Sequence, residues 1–314
     1  MILSVSRRTD IPSYYSDWFF NRIKEGFVYV RNPMNPHQVS KIVLTPEVVD
    51  CIVFWTKNPK PMLDRLNELK EYNYYFQFTL TGYGKDIESN IPHKKDKMIP
   101  TFQELSGRIG AEKVIWRYDP ILFSNKYTPE YHLKAFEQIA TALEGYAEKC
   151  VISFVDEYTK IKKNMEALGI YELKQSELQE FAKKIAEIAK NNGMKIASCA
   201  EDIDLEACGI TRNSCIDKEL IERIIGCRLN VNKGKNQRPT CGCVESVDLG
   251  TYNTCQNGCK YCYANYSEER IVQTCNLYHP TSPILCGILN ENDKITKREV
   301  KTLKERQISL FDSD

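Results

Sequence analysis

Short apolar runs recur along the first two thirds of the chain: Ile2 to Ser6, Cys51 to Trp55, Tyr74 to Leu80, Lys113 to Arg117, Cys150 to Phe154 and Lys195 to Cys199. Each is apolar at most positions and rich in β-branched or aromatic side chains, as a strand covered on both faces should be. Helical patterns lie between them. Ser13 can cap a segment carrying Trp18, Phe19 and Ile23, and Pro61 to Tyr72 repeats apolar residues at helical spacing. Thr128 followed by Pro129 is a cap with proline at the first helical position, opening a helix towards Gly145. Leu173 to Asn192 forms another, stopped by Gly193. One strand per roughly 25–50 residues, with helices between, is the signature of repeated βα units and a parallel sheet.

The spacing therefore predicts an α/β fold, a complete or partial (β/α) TIM-like barrel with a C-terminal cysteine-rich segment; a doubly wound open sheet is the alternative. The strand ends favour the barrel. They run into Ser6-Arg7-Arg8-Thr9-Asp10, Trp55-Thr56-Lys57-Asn58, Thr79 and Thr81, Arg117-Tyr118-Asp119, Asp156-Glu157, and Cys199-Ala200-Glu201-Asp202. Polar residues after one strand are usually only loop, but the active site of a barrel is built where strands end. Three regions are expected. Residues 1–227 form the barrel body, 228–289 a cysteine-rich segment packed on its mouth, and 290–314 a charged tail, flexible or weakly helical.

A chain of 314 residues with 42% hydrophobic residues can bury one large α/β core. The formal net charge of +1 provides no global pull on nucleic acid, so such binding would need a local patch. The sequence contains no apolar run long enough to cross a membrane, and MILSVSRRTDIP lacks the apolar stretch of a signal peptide. A soluble, cytoplasmic protein is expected. Its thirteen cysteines then do not read as a disulfide framework. They gather in the second half of the chain, which points to metal. The four histidines show no partner pattern for hydrolysis.

The chemistry concentrates in Thr254-Cys255-Gln256-Asn257-Gly258-Cys259-Lys260-Tyr261-Cys262-Tyr263. Three thiolates on one short loop can each take one iron of a cubane cluster, leaving the fourth iron open. Gly258 helps such a loop fold around a bulky group. Zinc is the competing reading, with Cys241-Gly242-Cys243 completing a four-thiolate site beside Cys259 and Cys262.

This C-x3-C-x2-C spacing resembles the signature of the radical S-adenosylmethionine superfamily. The resemblance implies that Cys255, Cys259 and Cys262 hold a [4Fe–4S] cluster whose open iron binds S-adenosylmethionine. It further implies reductive cleavage to a 5′-deoxyadenosyl radical, fed by an electron donor such as flavodoxin or ferredoxin. Tyr261, just before the last cysteine, becomes a candidate nucleotide contact. More of the chain is similar to an uncharacterised family, a domain of unknown function with a C-terminal radical S-adenosylmethionine-like cysteine cluster, loosely associated with spore photoproduct lyase and DNA repair photolyase-like proteins. The segments carrying that resemblance are SRRTDIP, VRNPMNP, VFWTKNP, WRYDP and CGCVESVDLGTYNTCQNGCKYCYAN, within about residues 1–280. In the superfamily the cysteine loop follows the first strand. Here it follows Val247 to Tyr252, after six other strands. Either the barrel is circularly permuted or the loop is an appendage folded over the mouth. The Gly-Gly-Glu-type element of the superfamily has no counterpart after the next strand.

Further candidates follow from position. Cys199, Cys215, Cys241 and Cys243 are the preferred ligands of a second cluster or a structural zinc, with Cys227 able to substitute. Arg7, Arg8 and Asp10, together with Lys57 and Asn58, can hold an anionic part of substrate or cofactor. Arg117 and Asp119 can do the same or simply pair with each other. Trp55 and Trp116 can stack a ring, although tryptophan at a strand end is more often core. No residue is assigned as the catalytic acid or base. The chain ends Arg306-Gln307-Ile308-Ser309-Leu310-Phe311, similar to the short motif that docks bacterial repair proteins on the sliding clamp through Gln307, Leu310 and Phe311. Three functions compete: a radical enzyme whose substrate includes nucleic acid among the candidates, a zinc-stabilised nucleic-acid-binding or interaction protein, and a non-radical metalloenzyme built on a barrel.

Overall fold

A computed structural model describes residues 1–156, 161–201, 203–235, 237–238 and 240–305. Gln307, Leu310 and Phe311 of the clamp-like motif lie outside the described residues, as do Glu157 and Asp202. The strands in chain order are β1 (Ile2–Val5), β2 (Phe27–Asn32), β3 (Asn35–Val43), β4 (Cys51–Thr56), β5 (Tyr74–Thr79), β6 (Val114–Ile121), β7 (Lys149–Phe154), β8 (Lys195–Ser198), β9 (Thr211–Arg212), β10 (Val247–Asp248) and β11 (Lys294–Lys297). Eight of them build one parallel sheet in the order β10-β1-β4-β5-β6-β7-β8-β9. The α/β class and the six strands read from apolar runs are all present. Among the described residues the sheet is open: β9 and β10 are its two edges and do not pair with each other. A closed barrel is therefore not formed.

The register sorts the side chains onto two faces. Leu3, Ile52, Phe76, Val114 and Cys150 point one way, into the main core with Trp18, Phe19, Phe102, Phe136 and Phe181. These come from the helices Ser16–Glu25, Ile99–Ile109, Pro129–Ala142 and Gln175–Asn191. Ile2, Cys51, Val53, Tyr75, Ile115 and Val151 point the other way and pack on Leu220 and Ile221 of the helix Lys218–Ile225. Both faces are buried, which is why the strands lack polar alternation. Further along the second face, towards the carboxyl ends of the strands, the residues turn polar: Gln77, Arg117 and Ser153.

Several local expectations are corrected. The first helix is capped by the Asp10 carboxylate, which accepts from Ser13 N at 3.1 Å, and the chain bends at Tyr15 before the helix Ser16–Glu25. Thr128 caps its helix as read, through Tyr131 N at 3.2 Å. Among the described residues, the segment after Asn290 is neither a helix nor wholly a free tail. Lys294–Lys297 pairs with β3 beside the β2–β3 hairpin. Beyond it, Leu303 N donates to Asp50 Oδ2 at 2.8 Å. Among the described residues no helix is long and apolar enough to cross a membrane.

Candidate metal centre

β10 is the element that locates the cysteine loop. It pairs in parallel with β1, Leu3 opposite Val247 and Ser4 opposite Asp248. Of the two placements open from sequence, the strand before the loop lies beside the N-terminal strand. Counted from β10, the sheet runs in simple chain order from one edge to the other. The loop thus leaves the sheet at the same end as the loops after β1, β4, β5 and β6. The carboxyl ends of these strands surround a pocket of about 540 Å³. Its walls include both cysteine sets: Cys255, Cys259 and Cys262 on one side, Cys199, Cys215, Cys241 and Cys243 on the other.

The loop is held by bonds from outside itself. Asn257 Nδ2 donates to Asp10 Oδ2 at 3.0 Å, and Tyr14 OH donates to Asn257 Oδ1 at 2.9 Å. Asn90 Nδ2 donates to Gln256 O at 2.7 Å, and Lys260 N donates to Ile87 O at 2.9 Å. Tyr15 OH donates to Thr254 O at 2.6 Å and Asn265 Nδ2 to Cys255 O at 2.8 Å. Gly258 has φ +67°, and a Cβ there would stand 2.0 Å from Ser89 Oγ, so conformation and space both require glycine. Burial raises the pKa of the Cys255 and Cys262 thiols. Burial pushes the Cys259 thiol up to about 12, with the Lys57 ammonium pulling the other way. Binding a metal here would release protons from these thiols.

Beneath the loop is a buried charge cluster that sequence reading missed. Glu88 is 1% exposed. Its carboxylate accepts from Lys57 Nζ at 2.7 Å, from Thr81 Oγ1 at 3.0 Å, and from Lys94 Nζ and the Tyr261 hydroxyl. Burial alone would raise its pKa, but the two ammonium groups outweigh burial and bring it down to about 2. Tyr261 is thereby fixed, with Lys57 Nζ 5.5 Å from its ring centroid. Tyr261 and Lys57 both border the pocket.

The second thiol set is gathered from three stretches of chain. Cys199 Sγ lies 3.0 Å from Cys215 Sγ. Cys243 Sγ accepts from Cys215 N at 3.2 Å and Ile216 N at 3.3 Å. Cys241 Sγ turns to Gln237 Oε1 at 2.6 Å, and its pKa falls to about 7, chiefly through a hydrogen bond with Cys243. Cys241 and Cys243 therefore join Cys199 and Cys215 rather than Cys259 and Cys262. Arg117 Nη1 donates to Cys215 Sγ at 2.9 Å while Arg117 Nε donates to Asp119 Oδ2 at 2.9 Å. Arg117 and Asp119 form the mutual pair, and the guanidinium adds a sulfur contact. Cys227 does not border the pocket. Among the described residues no group of three or more Cys, His, Asp or Glu side chains is already gathered so as to hold a metal ion.

The anion candidates separate. Arg7 and Arg8 border the pocket; Arg7 Nε is 3.9 Å from Asp248 Oδ2, and Arg8 Nη1 donates to Gly250 O at 3.2 Å. Asp10 also borders it, but both its oxygens are taken by Ser13 N, Thr56 Oγ1, Lys57 N and Asn257 Nδ2. It serves as an internal latch. Asn58 is not brought to the pocket; its Oδ1 accepts from Lys60 N at 3.2 Å and starts the next turn. Trp116 stacks on Phe136 at 4.6 Å in the main core, whereas Trp55 faces the pocket and lies 5.2 Å from the Arg117 guanidinium. His132 is fully buried between Tyr118 OH and Leu122 O, a packing role.

Comparison with curated proteins finds no match. One family description, Domain of unknown function (DUF1848), matches residues 2–264, a span that holds the parallel sheet and both thiol sets. The chain belongs to that family.

Proposed function

We propose that this chain is an iron–sulfur enzyme of the radical S-adenosylmethionine type. In this reading Cys255, Cys259 and Cys262 carry three irons of a [4Fe–4S] cluster, and S-adenosylmethionine lies in the pocket. The reading is carried by one observation: a loop with three thiols, braced from Asp10, Tyr14, Tyr15 and Asn90, opens into a pocket at the carboxyl ends of a parallel sheet. The position of β10 beside β1 supports it, because the cysteine loop then follows the first strand of the sheet in spatial order, and in the superfamily it follows the first strand. The donor set fits. A cubane takes each thiolate on a different iron, so three cysteines spread along one loop suit it.

When bound, such a cluster supplies one electron to the sulfonium of S-adenosylmethionine, itself drawn from a reduced flavodoxin or ferredoxin. The chain's own residues do the rest. Lys57 places a positive charge beside Cys259 and helps offset thiolate charge. Glu88 fixes Lys57 and Tyr261 at the pocket wall. Arg7 and Arg8 border the pocket, and in this reading they meet an anionic part of substrate or of S-adenosylmethionine. The substrate is open, with nucleic acid among the candidates.

The test is anaerobic reconstitution with iron and sulfide, then incubation with dithionite and S-adenosylmethionine. Four iron at this loop and formation of 5′-deoxyadenosine are expected, both lost in Cys259→Ala. A reconstituted protein with no 5′-deoxyadenosine, or a Cys259→Ala variant that still makes it, overturns the reading.

A further inference from the structure

The parallel sheet has two free edges, and the second thiol set lies between them. Cys199 follows β8 and Cys215 follows β9, the strand at one edge. Cys241 and Cys243 precede β10, the strand at the other edge. The segments meet: Val244 N donates to Ile216 O at 3.1 Å, and Cys243 Sγ accepts from Cys215 N and Ile216 N. No ladder joins β9 to β10 among the described residues, and the four thiols lie on the segments that follow β8 and β9 and precede β10.

Two of the sulfurs are surrounded by donors. Cys215 Sγ accepts from Arg117 Nη1 at 2.9 Å and from Asn213 Nδ2 at 3.2 Å. Cys243 Sγ takes its two backbone N–H bonds at 3.2 and 3.3 Å. A neutral thiol is a weak acceptor, so four N–H groups aimed at two buried sulfurs suit thiolates. Buried thiolates in turn require a cation, and Arg117 is already shared with Asp119. The Cys241-Gly242-Cys243 turn is also built tightly. A Cβ on Gly242 would stand 2.4 Å from Ser214 Oγ, so the turn lies directly on the Cys215 segment.

We propose that Cys199, Cys215, Cys241 and Cys243 bind one zinc-class ion in a tetrahedral four-thiolate site, and that this ion staples the two free edges of the sheet together. The sulfur spacing selects a single ion over a second cluster. With metal–sulfur bonds of about 2.3 Å, tetrahedral ligands stand about 3.8 Å apart. A four-cysteine cubane holds its thiolates on four different irons, farther apart than that. Cys199 and Cys215, at 3.0 Å, lie closer than either arrangement requires, and nearer to the single-ion spacing than to that of a cluster. Completing the tetrad requires Cys241 to turn from Gln237 Oε1. The site is separate from the Cys255, Cys259, Cys262 loop and does not rest on what that loop binds.

The experiment uses the full chain grown with added zinc and purified anaerobically, with zinc and iron counted by elemental analysis. One zinc per chain is expected in the wild type and in Cys259→Ala. At least a tenfold drop is expected in Cys215→Ser and Cys243→Ser, and none in Cys208→Ser, whose thiol lies on Gln179 O outside the seam. Where the buried variants fail to fold, Cys241→Ser and cobalt replacement of the wild type carry the test. Cobalt(II) should show the thiolate charge-transfer and ligand-field bands of a tetrahedral four-sulfur site, altered in Cys241→Ser. Chelation should lower Tm. Wild-type protein without zinc, zinc unchanged by Cys215→Ser or Cys241→Ser, or iron with labile sulfide at these four cysteines overturns the proposal.

Discussion

Asp10 and Asn257 are 247 positions apart in sequence, yet Asn257 Nδ2 donates to Asp10 Oδ2 at 3.0 Å. The same carboxylate takes Lys57 N at 2.7 Å and Thr56 Oγ1 at 2.7 Å. One side chain therefore ties the loop after β1 to the loop after β4 and to the cysteine loop. Replacing it with alanine leaves buried donors without partners, each costing about 1–3 kcal/mol. Asp10→Ala should lower stability by about 3 kcal/mol in denaturant unfolding. It should also speed alkylation of Cys255 and Cys259 in the metal-free protein. Unchanged stability and alkylation would show that the latch is idle.

Glu88 stands between two ammonium groups in a dry site. Its removal leaves Lys57 and Lys94 facing each other without a counter-charge, and stranding a buried ion typically costs about 3–5 kcal/mol. Glu88→Gln should fall in that range by urea unfolding. Adding Lys94→Met should recover a substantial part, because one of the two stranded charges is gone. If the double variant is no more stable than the single, the loss arises elsewhere, for instance from the Tyr261 and Thr81 hydrogen bonds.

Gly258 makes a separable test of conformation against space. Gly258→Ala meets both the positive φ and the Ser89 hydroxyl. A cost of about 1–3 kcal/mol is expected from strain of this kind. Ser89→Ala in the same chain removes the hydroxyl but leaves the φ penalty, so stability should return only in part. Full recovery would assign the whole requirement to crowding; no recovery would assign it to the backbone.

The parts of this fold that were legible in sequence are those whose environment is uniform. β4, β5 and β7 are covered on both faces, so their apolar runs carry no competing signal. β2 was missed because Phe27–Asn32 mixes aromatic, basic and amide residues in a partly exposed hairpin. β9 is two residues, too short for a pattern, and β10, expected over Val247 to Tyr252, is confined to Val247–Asp248. The cysteine loop stood out because the C-x3-C-x2-C spacing is a local pattern, readable without any tertiary contact. Glu88 was not, because Asp86-Ile87-Glu88-Ser89 reads as a solvated loop and nothing local reveals that Lys57 and Lys94 fold over it. Sequence position grouped Cys241 and Cys243 with Cys199 and Cys215 but left a pairing with Cys259 and Cys262 open; the choice is set by topology, since which sheet edge each segment reaches is not written in its own residues.

His132 offers a pH test on a side chain whose two hydrogen bonds involve no thiol. Its ring is fully buried between Tyr118 OH and Leu122 O, and burial lowers its pKa from the ordinary 6.5 to about 4. The folded state holds the ring neutral, while the unfolded chain binds a proton once pH drops below about 6.5. Its contribution is thus fully present above that pH and is lost as pH falls towards 4. Unfolding free energy should decline across this window in the wild type. His132→Gln, which keeps a hydrogen-bonding side chain but cannot titrate, should start less stable at pH 8 and show a flatter profile. Parallel profiles for the two proteins would mean that the acid-side loss comes from other groups.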